Sequence, residues 1–203
     1  MRSDEELLEA WRGGDREAGE QLFDRYFAPL QRFFRNKLHD AGEVDDLVQR
    51  TFLACVGAKD RFRGDASVRA YVFGVAYNTL RMHLRGRRRK LEPIDFGTVS
   101  VIDLGASPSA LLGELEEEHL LLAALRGLPL ELQVVLELRY WESLSSAEIS
   151  RVIEVPAATV RSRLRRARAQ LERQIAALAS TPALALRTTQ NLEAWAARVR
   201  AQL

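Results

Sequence analysis

Apolar residues recur at steps of three and four along almost the whole chain, and alternating strand-like runs are nearly absent. That spacing predicts amphipathic helices and little else. The first stripe runs through Leu7, Leu8 and Trp11, then Leu22, Phe23, Tyr26, Phe27, Leu30, Phe33 and Phe34. Ser3 with Glu6 three residues later reads as a capping box, and Gly13-Gly14-Asp15 as a break between helices. A further helix opens at Glu43-Val44-Asp45-Asp46, its acids at the end where the helix dipole favours them. Its stripe is Leu47, Val48, Thr51, Phe52, Cys55 and Val56, so Cys55 is expected in a core. Residues 59–67 read as a glycine-containing loop that ends in Ser67 as a cap. The helix after it turns Val68, Val72, Val75, Ala76, Thr79 and Leu80 inward.

The periodicity fails over residues 91–113, where Pro93, Gly97, Gly105, Pro108 and Gly113 punctuate the chain. It resumes from Leu115 to Leu128, restarts at Pro129, and continues through Leu132, Val135, Leu136 and Tyr140. The predicted fold is all-α, with two small helical modules joined by an acidic linker. The expected boundaries are 1–90, a linker at 91–114, 115–179, and an extension at 180–203. In the extension, Leu192, Trp195, Ala196, Val199 and Leu203 suggest a short amphipathic helix. A chain of 203 residues can supply two modest cores of this kind.

Charge is distributed in blocks. The formal net charge is only +2, from 30 basic and 28 acidic side chains. Yet residues 61–90 hold nine basic groups against one acid, residues 91–150 two against eleven, and residues 151–180 seven against two. Two basic blocks separated by an acidic segment suggest two polyanion contacts on separate modules. Other classes of function find little support. One cysteine excludes a disulfide framework, and His39, His83 and His119 lie on different elements, so neither metal nor cofactor is expected. There is no phosphate-binding glycine loop or nucleophile elbow, hence no expected catalytic residue. The longest apolar runs, such as Leu120–Leu125, fall far below the roughly 20 residues of a membrane span. With an acidic N-terminus, this leads to the expectation of a cytoplasmic protein without membrane insertion.

The second module carries the most specific pattern. Ser145 or Ser146 caps a short helix, Ala147 to Ile153, Glu154-Val155 makes a tight turn, and Pro156 sits where a first helical turn tolerates proline. The next helix keeps Val160, Leu164, Ala167, Leu171 and Ile175 on one face. Ala158, Arg161, Ser162 and Arg165 fall opposite, with Arg168 near the edge. A short helix, a tight turn, and a helix whose exposed early residues are small or cationic predict a helix-turn-helix that can seat in a major groove.

Three segments together resemble a known family. Leu125-Arg126-Gly127-Leu128-Pro129, Ser145-Ser146-Ala147-Glu148-Ile149 and Thr159-Val160-Arg161-Ser162-Arg163-Leu164-Arg165-Arg166-Ala167-Arg168 look like domain four of bacterial sigma factors of the extracytoplasmic-function (ECF) class of the sigma-70 family. Asp46-Leu47-Val48-Gln49-Arg50-Thr51-Phe52-Leu53, Phe62-Arg63-Gly64-Asp65-Ala66-Ser67 and Ala76-Tyr77-Asn78 resemble domain two. The resemblance spans roughly residues 1–178. It implies core RNA polymerase (β′ clamp and β flap) and promoter DNA, both duplex and melted, as partners, and it leaves an anti-sigma factor open. It implies that Asp45, Asp46, Gln49 and Phe52 face the clamp. Phe62, Arg63, Gly64, Asp65 and Ser67 would form the loop that captures a flipped base. Asn78, Arg81, Arg85, Arg87 and Arg88 would contact the minus-ten region. Ala158, Thr159, Arg161, Ser162, Arg165 and Arg168 would read the minus-thirty-five element. The sequence departs from the family pattern at Tyr71, where tryptophan is usual, at Arg50, where an acid is usual, and at Glu154 in place of a turn glycine. A side chain at a positive-φ turn costs about 1 kcal/mol, so a differently shaped turn is expected there.

A flexible linker of about 25 residues spans only about 25–30 Å, so a rigid scaffold must set the separation of the two modules on DNA. Phe62, Tyr71 and Tyr77 are candidates for stacking on melted bases, worth about 1–3 kcal/mol per base against about 1–2 for opening each step. The alternative is a stand-alone helix-turn-helix repressor, which leaves the docking-like helix and basic block of the first module without a purpose.

Overall fold

The computed structural model describes residues 2–62, 64, 66–87, 95–103, 116–191 and 194, with the side chains of Arg61 and Arg87 left aside. Among these residues the regular structure is helical: α1 (Asp4–Arg12), α2 (Arg16–Arg35), α3 (Ala41–Ala58), α4 (Val68–Arg87), α5 (Glu116–Arg126), α6 (Leu130–Tyr140), α7 (Ser146–Ile153), α8 (Ala157–Leu178) and α9 (Pro182–Gln190). A single 3-10 turn, Lys59–Arg61, follows α3. Helices α1–α4 form the first module and α5–α9 the second.

Local chemistry sets the helix starts. Ser3 and Glu6 close a capping box on α1, and Ser145 and Glu148 close another on α7, each satisfying N–H groups that a helix start leaves free. Asp15 and Asp40 cap α2 and α3. The third helix therefore starts at Ala41, two residues before the acidic cluster that signals it in the sequence. At α6 the N-cap is Pro129, whose ring carries no hydrogen-bond acceptor, and the linker supplies the acceptors. The N–H of Leu130 donates to the carbonyl of Val99 at 3.0 Å and that of Glu131 to the carbonyl of Phe96 at 3.0 Å. Residues 95–103 are thus folded against the second module, with Val101 buried, where the sequence predicts a free tether.

The turn between α7 and α8 is built on Glu154 at φ 57°, ψ 45°, the left-handed region a glycine would occupy. The turn keeps the shape that glycine would give it, and the glutamate carries the strain. At the C-terminus, Thr181 caps α9 and Pro182 opens it. This helix packs on α5 and α8 through Leu184 and Thr188, and it precedes the segment expected from the sequence. That segment, Leu192 with Trp195, Ala196, Val199 and Leu203, lies outside the described residues.

The modules pack directly on each other, α7 lying along α4. Their contact centres on the C-terminus of α2. Lys37, just past that end, is 2% exposed, and its Nζ pairs with the Glu137 carboxylate of α6 and donates to the Phe33 carbonyl at 2.7 Å. Gln133 Nε2 donates to the Asn36 carbonyl at 3.2 Å and to Glu137 Oε1 at 2.8 Å, and Arg126 donates to the Arg35 carbonyl at 3.1 Å. Residues of the second module therefore satisfy carbonyls that α2 leaves open at its end. Alongside, Glu142 accepts from Arg32 at 2.8 Å and from Arg69 at 2.8 Å. Burial pushes the Lys37 ammonium down and the Glu137 carboxyl up; their mutual attraction opposes it first, helped by Glu142 for Lys37 and by Gln133 and Arg32 for Glu137. Asn36 Nδ2, Gln133 Oε1 and two guanidinium nitrogens of Arg126 are buried without a hydrogen-bond partner. Each such group costs about 1–3 kcal/mol.

Two outcomes follow for stability. Replacing Lys37 with Met leaves Glu137 buried and unpaired, and it should cost about 3–5 kcal/mol in urea unfolding. The double variant Lys37→Met/Glu137→Met should regain most of that loss, and a double variant as weak as the single would contradict it. Glu154→Gly should raise the melting temperature by about 2–4 °C, the equivalent of roughly 1 kcal/mol.

Candidate nucleic-acid interface

The recognition-type surface of the second module is α8. Val160, Ala167, Leu171 and Ile175 are buried against α5, α6 and α7, which turns Ala158, Arg161, Ser162, Arg165 and Arg168 to the exterior. Thr159 is half-buried, and its carbonyl accepts from the Ser162 hydroxyl at 2.9 Å. Arg161 and Arg165 have no acidic partner among the described residues, whereas Arg163 and Arg166 are held by Glu131 at 2.6 and 2.5 Å. Arg168 reaches Glu172 at 3.4 Å. The helix begins at Pro156 without a side-chain cap, so its first-turn N–H groups have no local side-chain acceptor. The exposed face offers small residues where a helix must approach closely and guanidinium forks farther along.

In the first module the structure divides the expected residues. The loop before α4 is clamped from behind by Arg12, whose guanidinium donates to the Lys59 carbonyl at 2.9 and 2.7 Å and also to the Phe62 carbonyl. Phe62 is half-buried, packs on Tyr71 with ring centroids 5.1 Å apart, and lies under the Arg12 guanidinium. Burial pushes the Tyr71 hydroxyl up to about 12, and that hydroxyl donates to the Cys55 carbonyl at 3.5 Å. Gly64 is exposed at φ 76°. Ser67 caps α4 by accepting from the Ala70 N–H at 3.2 Å, and it donates to Glu148 of α7 at 2.5 Å. Asn78 and Arg85 are exposed, while Arg81 is half-buried over the Tyr77 ring. Tyr77 is only 7% exposed, and its hydroxyl is pushed up by burial. Arg63, Asp65, Arg88 and the side chain of Arg87 lie outside the described residues.

A different kind of surface lies on α2 and α3. Phe23, Phe27, Gln31, Asp45, Val48, Gln49, Phe52, Leu53 and Val56 line an open groove of about 390 Å³. Leu53 is 64%, Phe27 48% and Val56 42% exposed, which is unusual for three large apolar side chains lining one groove. Asp45, Gln49 and Phe52 lie in this groove, and Gln31 donates to Asp45 at 3.2 Å. Asp46 is paired with Arg50 at 2.9 Å on the same helix. Sequence reasoning finds Asp45, Gln49 and Phe52, omits Gln31 and Leu53, and places Phe27 and Val56 on inward stripes, whereas the structure exposes both. The steps Asp45-Gln49-Leu53 and Gln49-Leu53-Val56 place apolar residues on the polar side of α3, and that was the available signal.

Comparison with known proteins agrees with this geometry. The sigma-70 region 2 model matches residues 22–90 and the sigma-70 region 4 model residues 118–171. The RNA polymerase sigma-H factor of Pseudomonas aeruginosa is 32% identical over 181 residues, covering 85% of this chain and 93% of that protein. The ECF RNA polymerase sigma-E factor of Escherichia coli K12 is 28% identical over 181 residues, covering 85% and 94%. The solved structure of CnrH in complex with the cytosolic domain of CnrY aligns with a TM-score of 0.64 at 25% identity, over 85% of this chain and 97% of that one. The sigma factor RpoE of Bartonella quintana, solved in complex with the anti-sigma factor NepR, aligns at 0.60 with 19% identity, over 79% and 98%, and it supports the fold. The chain belongs to the sigma-70 family of transcription initiation factors. Within that family it is of the ECF class, a sigma factor that acts with core RNA polymerase on promoter DNA. Such factors are specificity subunits rather than enzymes.

The clamp on the Phe62 loop is open to test. Arg12→Ala should speed amide exchange across residues 59–62 about tenfold, as expected for loss of charge-assisted hydrogen bonds, with little change in global melting. Unchanged exchange would mean that the loop is held by its aromatic packing alone.

Proposed function

We propose that the division of labour follows the two surfaces. The groove lined by Phe27, Asp45, Gln49, Phe52, Leu53 and Val56, with Asp46 beside it, docks on the clamp of core polymerase. The exposed face of α8 reads the minus-thirty-five element: Arg161 and Arg165 contact bases or phosphates, and Ala158, Thr159 and Ser162 permit close approach. Arg168 contacts the backbone. The loop Phe62–Ser67 and the α4 residues Asn78, Arg81, Arg85, Arg87 and Arg88 engage the minus-ten region. Residues 1–90 and 115–179 are the corresponding functional units, 91–114 join them, and 180–203 extend the second. The proposed setting is the cytoplasm, and the described helices include none long and apolar enough to cross a membrane. The reaction chemistry belongs entirely to polymerase in this reading, with no cofactor. Relatives solved with CnrY or with the anti-sigma factor NepR support a protein antagonist for this chain as well.

One observation carries the reading: a single chain presents an open apolar groove on one module and an exposed cationic helix face on the other. A repressor needs only the second. In run-off transcription with purified core enzyme, Leu53→Glu should weaken core binding at least tenfold while leaving duplex binding through α8 unchanged. Arg161→Ala should do the reverse, costing about 1–3 kcal/mol in minus-thirty-five recognition. Initiation that survives Leu53→Glu would remove the groove from the account.

A further inference from the structure

We infer that Glu131, at the start of α6, sets how selectively α8 reads duplex DNA. It is a positioning residue. It holds Arg163 and Arg166 on the flank of α8 and withholds their charge from indiscriminate contact with phosphates. This role rests on the reading of α8 as the minus-thirty-five helix, and it adds to that helix a determinant of specificity that does not itself touch DNA.

The composition of α8 creates the need. Five of the eight residues from Arg161 to Arg168 are arginine. Each guanidinium that reaches a phosphate releases counterions and binds every sequence alike, with a salt slope of about 0.9 per contact. A helix that committed all five to phosphates would adhere anywhere on a duplex, and its base contacts would discriminate little. At about 100° per residue the run divides between two sides of the helix. Arg161 and Arg165 fall with Ala158 and Ser162 on the exposed face, whereas Arg163 and Arg166 fall together on the side towards the start of α6. There Glu131 meets one arginine with each carboxylate oxygen: Oε2 lies 2.6 Å from Arg163 and Oε1 lies 2.5 Å from Arg166. The Arg163 side chain is left 21% exposed and is drawn off the surface, while that of Arg166, at 54%, stays at the surface in a fixed direction.

The carboxylate is itself held in place. Glu131 lies in the first turn of α6, where the helix dipole favours a negative charge. Its N–H donates to the Phe96 carbonyl at 3.0 Å, and its side chain is 13% exposed. The linker turn at Asp95–Thr98 lies against it: a Cβ on Gly97 would be 3.6 Å from Glu131 Oε1 and 3.2 Å from Asp95 Oδ1. A second carboxylate therefore adjoins the first on this side of α8. Anchoring the helix does not account for the arrangement. Val160, Ala167, Leu171 and Ile175 already bury α8, and an ion pair with a half-exposed partner adds little to stability.

The test is the salt dependence of duplex binding by the full chain, read by fluorescence anisotropy on two probes: a short duplex that the unmodified chain enriches from a random pool, and a scrambled duplex of the same composition. Glu131→Gln keeps the side-chain shape and removes the charge. It should steepen the salt slope on the scrambled duplex by about one to two, as two freed guanidiniums require, and raise affinity for that duplex about tenfold at low salt. Preference for the enriched duplex should fall by about threefold or more, because non-specific binding gains most. Adding Arg163→Gln and Arg166→Gln to that variant should return the slope to that of the unmodified chain. A Glu131→Gln protein whose slope and preference match the unmodified chain would overturn the role. So would one that loses affinity for both duplexes equally, the mark of an ion pair that only keeps α8 in place. Arg161→Ala separates this failure from a deeper one: if it leaves binding to the enriched duplex unchanged, or if no duplex is enriched, α8 is not the reader and the minus-thirty-five assignment falls together with the role of Glu131.

Discussion

Lys37 has no route to water. It follows the last turn of α2, where the helix leaves carbonyls without partners, and it is enclosed by the second module. An ammonium in that position is tolerable only with a carboxylate against it, and Glu137 is the group provided. The rest of the contact is arranged around this requirement. Gln133 orients Glu137 and meets the Asn36 carbonyl, Arg126 meets the Arg35 carbonyl, and Glu142 gathers Arg32 and Arg69. The two modules share paired charges and helix-end carbonyls beside a continuous apolar core that runs from one to the other.

The linker is ordered in part as well: its residues 95–103 are held on the start of α6 by backbone hydrogen bonds from Leu130 and Glu131. The groove on α2 and α3 and the arginines Arg161 and Arg165 on α8 are both exposed in this arrangement.

Much of this was legible from residues alone. The capping box at Ser3, a serine cap at Ser145 or Ser146, the break at Gly13-Gly14, the inward stripe of α4 and the outward face of α8 follow from spacing, because local hydrogen bonds and 3.6-residue periodicity decide them. Glu154 was visible as an odd residue in a turn, but its backbone conformation is decided by how α7 and α8 pack, and there the neighbours impose the glycine-like geometry. The start of α9 carried the signal of Thr181-Pro182, which apolar spacing farther along the tail obscured. The seam between modules was not legible. A linear charge count treats Lys37 and Glu137 as solvated, and nothing in their sequence positions, 100 residues apart, pairs them. The groove was half legible: Asp45, Gln49 and Phe52 stood out, whereas Gln31, Phe27, Leu53 and Val56 read as ordinary members of their helices.

The central claim is that one chain carries a polymerase-docking groove on its first module and a promoter-reading helix face on its second. The direct measurement is photocrosslinking from a probe placed at Leu53 and, separately, at Arg161, in the complex of this chain with core enzyme and promoter DNA. The account predicts that the Leu53 probe captures polymerase and that the Arg161 probe captures duplex DNA near minus thirty-five. A Leu53 probe that finds no polymerase, or an Arg161 probe that finds no DNA, would contradict it.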